Sequence, residues 1–143
     1  MRRSCTEVEW FEDYGVGDEF LGEPVYFSDR EIVDFARRYD PQPFHIDPAA
    51  ASTSPFGGLV ASGIHSFAAL WGGMMRAGFL NGRGIGAPGI EIQWLKPVRP
   101  GDTLTMRARV VETERRGSHD ALFQGNDPLE AEATTVEERR TPC

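Results

Sequence analysis

Ser62-Gly63-Ile64-His65-Ser66-Phe67-Ala68-Ala69-Leu70-Trp71-Gly72-Gly73-Met74-Met75-Arg76-Ala77-Gly78-Phe79-Leu80 is the stretch that decides the architecture. Ile64, Phe67, Ala68, Leu70, Trp71, Met74, Met75 and Phe79 cover nearly every side of a helix, so the spacing predicts a long helix over Ile64–Leu80 enclosed by other elements. Serines, glycines, His65 and Arg76 interrupt the run, which makes it a core helix rather than a membrane span. Ser62 stands at the N-cap position, and the N–H groups of Gly63 and Ile64 lie at the positive end of the helix dipole. A helix start of this kind suits an oxyanion.

Working outward, the pattern downstream changes to alternation. Gly89–Leu95 and Leu104–Val111 both read as strands, separated by the turn-rich Pro97-Val98-Arg99-Pro100-Gly101-Asp102. Upstream, Phe20–Phe27 reads as a short irregular edge strand, because Gly22 and Pro24 interrupt it. Ser28-Asp29-Arg30-Glu31 is a capping box, and the helix it opens carries Ile32, Phe35, Ala36 and Tyr39 before Pro41 ends it. A buried helix followed by strands predicts a single α+β domain in which one sheet wraps the helix. The core of that domain spans about 15–136 of residues 1–143. Met1–Asp13 reads as an arm that packs by Trp10 and Phe11. Beyond Glu112 the signal weakens: Arg115–Asp120 reads as a loop, Ala121–Phe123 and Leu129–Val136 are candidate strands, and residues 137–143 are expected to be a disordered tail.

The chemistry concentrates in Tyr39-Asp40-Pro41-Gln42-Pro43-Phe44-His45-Ile46-Asp47-Pro48. Pro41 and Pro43 push Asp40 and Gln42 out of the helical region, so the segment is expected to be extended and irregular. A stiff loop can hold Asp40 and His45 about one water, the arrangement general acid–base chemistry needs. Taken singly, an acid at a helix exit and a buried histidine are structural more often than catalytic. Asp47 before Pro48 is most economically an N-cap. A metal site of His45, Asp47 and His65 matches no compact ligand spacing.

With 143 residues, 40% of them hydrophobic, the chain suffices for one ordinary domain. A formal charge of −7 argues against nucleic acid as a partner. Cys5 and Cys143 lie at opposite ends, which fits free thiols in a reducing cytoplasm rather than a disulfide. Met1-Arg2-Arg3-Ser4-Cys5 is followed by charge, not by the apolar run of an export signal, so a cytoplasmic protein with no membrane association is expected.

Three blocks carry a family resemblance: Asp40-Pro41-Gln42-Pro43-Phe44-His45-Ile46-Asp47, Phe56-Gly57-Gly58-Leu59-Val60-Ala61-Ser62-Gly63, and Trp94-Leu95-Lys96-Pro97-Val98-Arg99-Pro100-Gly101-Asp102. In order and spacing this sequence resembles the MaoC-like acyl dehydratases, or (R)-specific enoyl-CoA hydratases, over roughly Phe20 to Val111. The resemblance implies a hot dog fold, with an antiparallel sheet wrapped around a long central helix. It implies a homodimer, an acyl-CoA thioester as substrate, and no metal or redox cofactor. It also implies Asp40 and His45 as the hydratase pair, Gly63 as the donor to the thioester oxygen, and Ser62, Phe44 and Trp71 as substrate-binding positions. Gln42 departs from the family's commonest motif, which has Asn there, and Trp71 stands near a position that is small and polar in the best-known hydratases. The expected reaction is reversible hydration of a trans-2-enoyl-CoA to the (R)-3-hydroxyacyl-CoA. Two alternatives stand beside it: a mesaconyl-CoA-type hydratase, and a non-catalytic thioester-binding subunit.

Overall fold

The computed structural model describes residues 1–80, 82 and 89–113, and the backbone of 129–134. The expected loop at Arg115–Asp120, the candidate strand at Ala121–Phe123 and the tail at 137–143 lie outside the described residues.

Strand β3 (Thr103–Val110) is the axis of the sheet. Its alternation turns Leu104, Met106, Ala108 and Val110 inward, all of them buried, and leaves Thr105, Arg107 and Arg109 on the other face. Strands β1 (Glu19–Leu21) and β2 (Val25–Tyr26) follow one another along one edge of β3, both antiparallel to it. Leu21 lies opposite Arg107 and Val25 opposite Leu104, so four steps on one side face three on the other, a one-residue bulge across Gly22–Pro24. The irregularity expected at Gly22 and Pro24 therefore splits the predicted strand in two. Strand β4 (Leu129–Thr134) takes the other edge, antiparallel, with Leu129 opposite Val110.

Helix α1 (Asp29–Tyr39) starts at the expected capping box: the Glu31 N–H donates to Ser28 Oγ at 3.2 Å, and the Ser28 N–H donates to Glu31 Oε2 at 3.4 Å. Two short helices come next, α2 (Pro43–Ile46) and α3 (Pro48–Ser52). The central helix is α4 (Gly63–Arg76). It buries Ser66, Leu70, Gly73 and Met74 in a core shared with Phe20, Phe27, Ile32 and Phe79.

Four expectations need correction. Helix α4 ends at Arg76, short of Leu80, because Gly78 has a φ of 87° and closes a Schellman motif. In that motif the Gly78 N–H donates to Met75 O at 3.0 Å and the Phe79 N–H to Met74 O at 3.2 Å. The helix is also not enclosed on all sides: Ile64, Ala68 and Trp71 form an exposed stripe. Gly89–Leu95 is not a strand although it alternates: among the described residues no strand pairs with it, and alternation alone does not supply the partner that its backbone groups need. The residues that the N-terminal arm buries are Cys5 and Val8 rather than its aromatics, since Phe11 is half-buried and Trp10 exposed. Backbone bonds from the Arg3 N–H to Glu19 O and from the Glu19 N–H to Met1 O, each 2.9 Å, tie the arm to β1.

A close backbone approach places α4 against the bulge. A Cβ on Gly73 would lie 2.7 Å from Glu23 O, and the Glu23 N–H donates to Gly73 O at 3.0 Å. Gly73→Ala is therefore expected to destabilise the protein by about 1–3 kcal/mol, the usual cost of overpacking against a partner that cannot move freely. Urea denaturation of the two proteins measures the difference, and equal midpoints would show that the bulge yields.

Candidate active site

Asp40 caps α1 at its C-terminal end; its N–H donates to Ala36 O at 2.9 Å, and its φ of −152° carries the chain out of the helix. The Gln42 N–H then donates to Asp40 O at 2.8 Å, a tight turn around Pro41. Beyond this turn the chain does not form the extended loop expected from the prolines. Pro43 takes the first position of the one-turn helix α2, where its fixed φ suits a helix and its missing N–H has no intrahelical acceptor to lose. His45 thus sits on a helical turn, 6% exposed. Asp47 is the cap expected of it: its Oδ1 accepts from the Ala49 N–H at 2.9 Å and opens α3.

The structure brings Asp40, His45 and Ser62 together. His45 Nδ1 lies 2.7 Å from Val60 O, and because a carbonyl only accepts, this nitrogen carries the proton of the neutral ring. The Nε2 lone pair then faces Asp40 Oδ2 across 3.5 Å. With the ring neutral both atoms are acceptors, so the gap is one that a water can bridge by giving a hydrogen to each. Asp40 has two further donors: Ser62 Oγ–H at 2.6 Å to Oδ2 and Gln42 Nε2 at 2.9 Å to Oδ1. The Ser62 hydrogen bond first, and then that of Gln42, hold the Asp40 carboxyl below its ordinary 3.8; burial opposes them, and positive charge on His45 adds a smaller push downward. Asp40 is therefore a carboxylate at neutral pH.

Ser62 stands at the N-cap of α4 but does not cap it; its hydroxyl is turned to Asp40 and makes no bond to the helix N–H groups. The first turn of α4, beginning with Gly63, keeps its donors beside the Asp40–His45 pair. Ser62 itself is fully buried, and the Ser66 hydroxyl donates to its carbonyl at 3.2 Å. Phe44 lines the histidine, with its ring 4.5 Å from the imidazole and 5.2 Å from Phe56. Trp71 is set apart: it lies about two turns further along α4, 37% exposed and stacked on Phe67 at 6.3 Å. His65 is also removed from the pair, between Phe35 at 4.6 Å and Phe27 at 5.3 Å, and burial pushes its pKa below 6.5. Among the described residues no group of three or more His, Cys, Asp or Glu is gathered for a metal. No helix among them is long and apolar enough to cross a membrane.

Residues 15–132 match the model of the MaoC-like domain. The chain belongs to the MaoC-like family. An uncharacterised protein of Bacillus subtilis, YdeM, is 30% identical over 104 residues, covering 72% of this chain and 74% of that protein. The crystal structure of the MaoC-like dehydratase from Rhodospirillum rubrum superposes with a TM-score of 0.73 at 37% identity, covering 79% of this chain and 77% of its own. The R-hydratase PhaJ1 from Pseudomonas aeruginosa gives 0.61 at 28% identity, over 73% and 66%. The fold is accordingly the hot dog fold, and this MaoC-like chain belongs among proteins that include dehydratases and (R)-hydratases.

Two members of the site have no role in the sequence reading. Gln42 enters there only as a departure from the common motif, and it proves to be a ligand of the carboxylate. Val60 offers no side-chain signal at all, since its carbonyl does the work. Because Ser62 is the largest influence on Asp40, Ser62→Ala is expected to move the Asp40 titration midpoint upward, toward 3.8. Carboxyl-carbon NMR titration reads that shift directly; an unmoved midpoint would mean that Ser62 does not stabilise the charge.

Proposed function

We propose that this protein is an acyl-CoA hydratase that adds water reversibly to a trans-2-enoyl-CoA, giving the (R)-3-hydroxyacyl-CoA. The observation that carries the reading is the 3.5 Å gap between His45 Nε2 and Asp40 Oδ2, beside a helix start left uncapped by its own serine. The family membership and the likeness to a named R-hydratase support the reaction class and its stereochemistry.

A water in the gap gives one hydrogen to Nε2 and one to Oδ2, which aims an oxygen lone pair outward at the β-carbon. As the carbon–oxygen bond forms, Nε2 takes a proton from the water. An acid whose pKa is held below its ordinary value is a weaker base, so Asp40 serves better to orient the water and to stabilise the imidazolium than to accept the proton. The carbon–carbon double bond shifts its electrons toward the carbonyl, and the enolate oxygen is stabilised by the Gly63 N–H and the α4 dipole. The imidazolium returns its proton to the α-carbon, so that water has added across the double bond with no net proton change. Dehydration of a 3-hydroxyacyl-CoA runs the same steps backward. The substrate requires no metal or redox cofactor in this scheme, and the working unit is a homodimer.

Crotonyl-CoA hydration, followed by loss of the enoyl thioester absorbance, tests the reading. His45→Ala is expected to lower kcat by about 10²–10⁴, the range typical of a lost acid–base group, and Asp40→Asn to lower it by removing the charge that orients the water and stabilises the imidazolium, while thioester binding persists in both. Turnover unaffected by either substitution, or none in the native protein, would overturn it.

A further inference from the structure

Gly63 meets a second neighbour that the acid–base pair does not involve. A Cβ built on Gly63 would lie 2.4 Å from both Cε2 and Nε1 of Trp94, so the indole already fills the space a side chain would take. In a helix the Cα–Cβ bond tilts toward the N-terminus, the direction in which the unpaired N–H groups of the first turn also point. The indole therefore borders the space in front of the helix start, where the thioester oxygen is received in the proposed hydration. Trp94 nevertheless keeps 57% of its surface exposed, and among the described residues no strand partner covers the segment that carries it. One part of the ring is pressed against backbone, and the rest is open apolar wall.

We infer that Trp94 is a specificity-determining residue that restricts the site to acyl thioesters unbranched at the α-carbon. This rests on the hydratase reading for the position of the thioester oxygen. With that oxygen on the Gly63 N–H, the carbonyl carbon is about 1.2 Å further out and the α-carbon one bond beyond. A substituent there projects into the zone between the helix start and the indole. A planar, straight enoyl group can lie along the ring; an α-methyl group collides with it. Neither Phe44 nor Phe56 supplies this restriction, because both rings are tied to the His45 side of the site.

The test compares crotonyl-CoA with its α-methyl homologue 2-methylcrotonyl-CoA in the native protein, Trp94→Ala and Trp94→Phe. The native protein is expected to favour crotonyl-CoA in kcat/KM by about tenfold or more, within the range one methyl group commands in a fitted pocket. Trp94→Ala should shrink that preference at least fivefold, with Trp94→Phe between the two. A preference that stays constant while both rates fall together would show a structural role only and overturn the inference. Binding of butyryl-CoA and 2-methylbutyryl-CoA, measured by calorimetry on the same three proteins, separates this from the hydratase reading. If nothing is hydrated yet the native protein discriminates between the two in binding and Trp94→Ala does not, the role of Trp94 stands and the catalytic reading falls. Equal binding of both thioesters by the native protein, or binding of neither, overturns the inference.

Discussion

The bond from the Ser62 hydroxyl to Asp40, 2.6 Å long, is the contact on which the site depends. It joins the exit of α1 to the entrance of α4 across 22 residues, and it settles two questions at once. The carboxylate acquires a buried donor that favours its charged form. The helix loses the side-chain cap that a serine in this position ordinarily supplies, a loss worth about 1 kcal/mol where it is measured elsewhere. A serine that capped its own helix would leave Asp40 more easily protonated and the first-turn N–H groups partly occupied. Local stability is given up where the helix start is left without a side-chain cap, a pattern common at functional sites.

A short run of backbone completes the arrangement. The Val60 carbonyl fixes the tautomer of His45, the Val60 N–H donates to Phe44 O at 3.3 Å, and the Ala61 N–H donates to Val98 O at 2.8 Å. The Pro100-Gly101-Asp102 turn is tied in the same manner: the Gly101 N–H donates to Phe27 O at 2.8 Å, the Phe27 N–H to Asp102 O at 2.9 Å, and Gly101 adopts a φ of 90°. Residues 59–61 thus form a rail between the histidine turn and the turn after residue 97. The three blocks by which the chain resembles its family are not three separate signatures but consecutive parts of one support.

Much of this was legible in the sequence because it is local. The capping box at Ser28–Glu31, the cap at Asp47, the end of α1 at Asp40 and the alternation of β3 all depend on residues within a few positions, and each appears where the pattern puts it. The candidate residues Asp40, His45 and Gly63 were likewise marked by the family pattern. Misreadings arose where a local signal admits two outcomes. Proline at 43 can break a helix or begin one, and the difference lies in whether its missing N–H has a role. Gly78 is a terminator only if the chain turns left-handed there, which the apolar residues just after it concealed. Alternation over 89–95 suits a strand, but a strand exists only where a partner lies along it, and among the described residues none does. The contacts of Ser62 with Asp40 and of Gly63 with Trp94 span long separations, and no periodicity encodes them.

The approach of Gly73 to Glu23 has a reach beyond its own neighbourhood. Ten residues separate Gly73 from Gly63, about 15 Å of helix, and a helix transmits axial position almost without compliance over such a length. The bulge at β1–β2 is therefore the datum from which the reach of the helix start is measured. Slack there would displace the first-turn N–H groups of α4 from the Asp40–His45 pair, although no atom of the pair had changed. The spacing between the helix start and the Asp40–His45 pair is a dimension set from the far end of the helix.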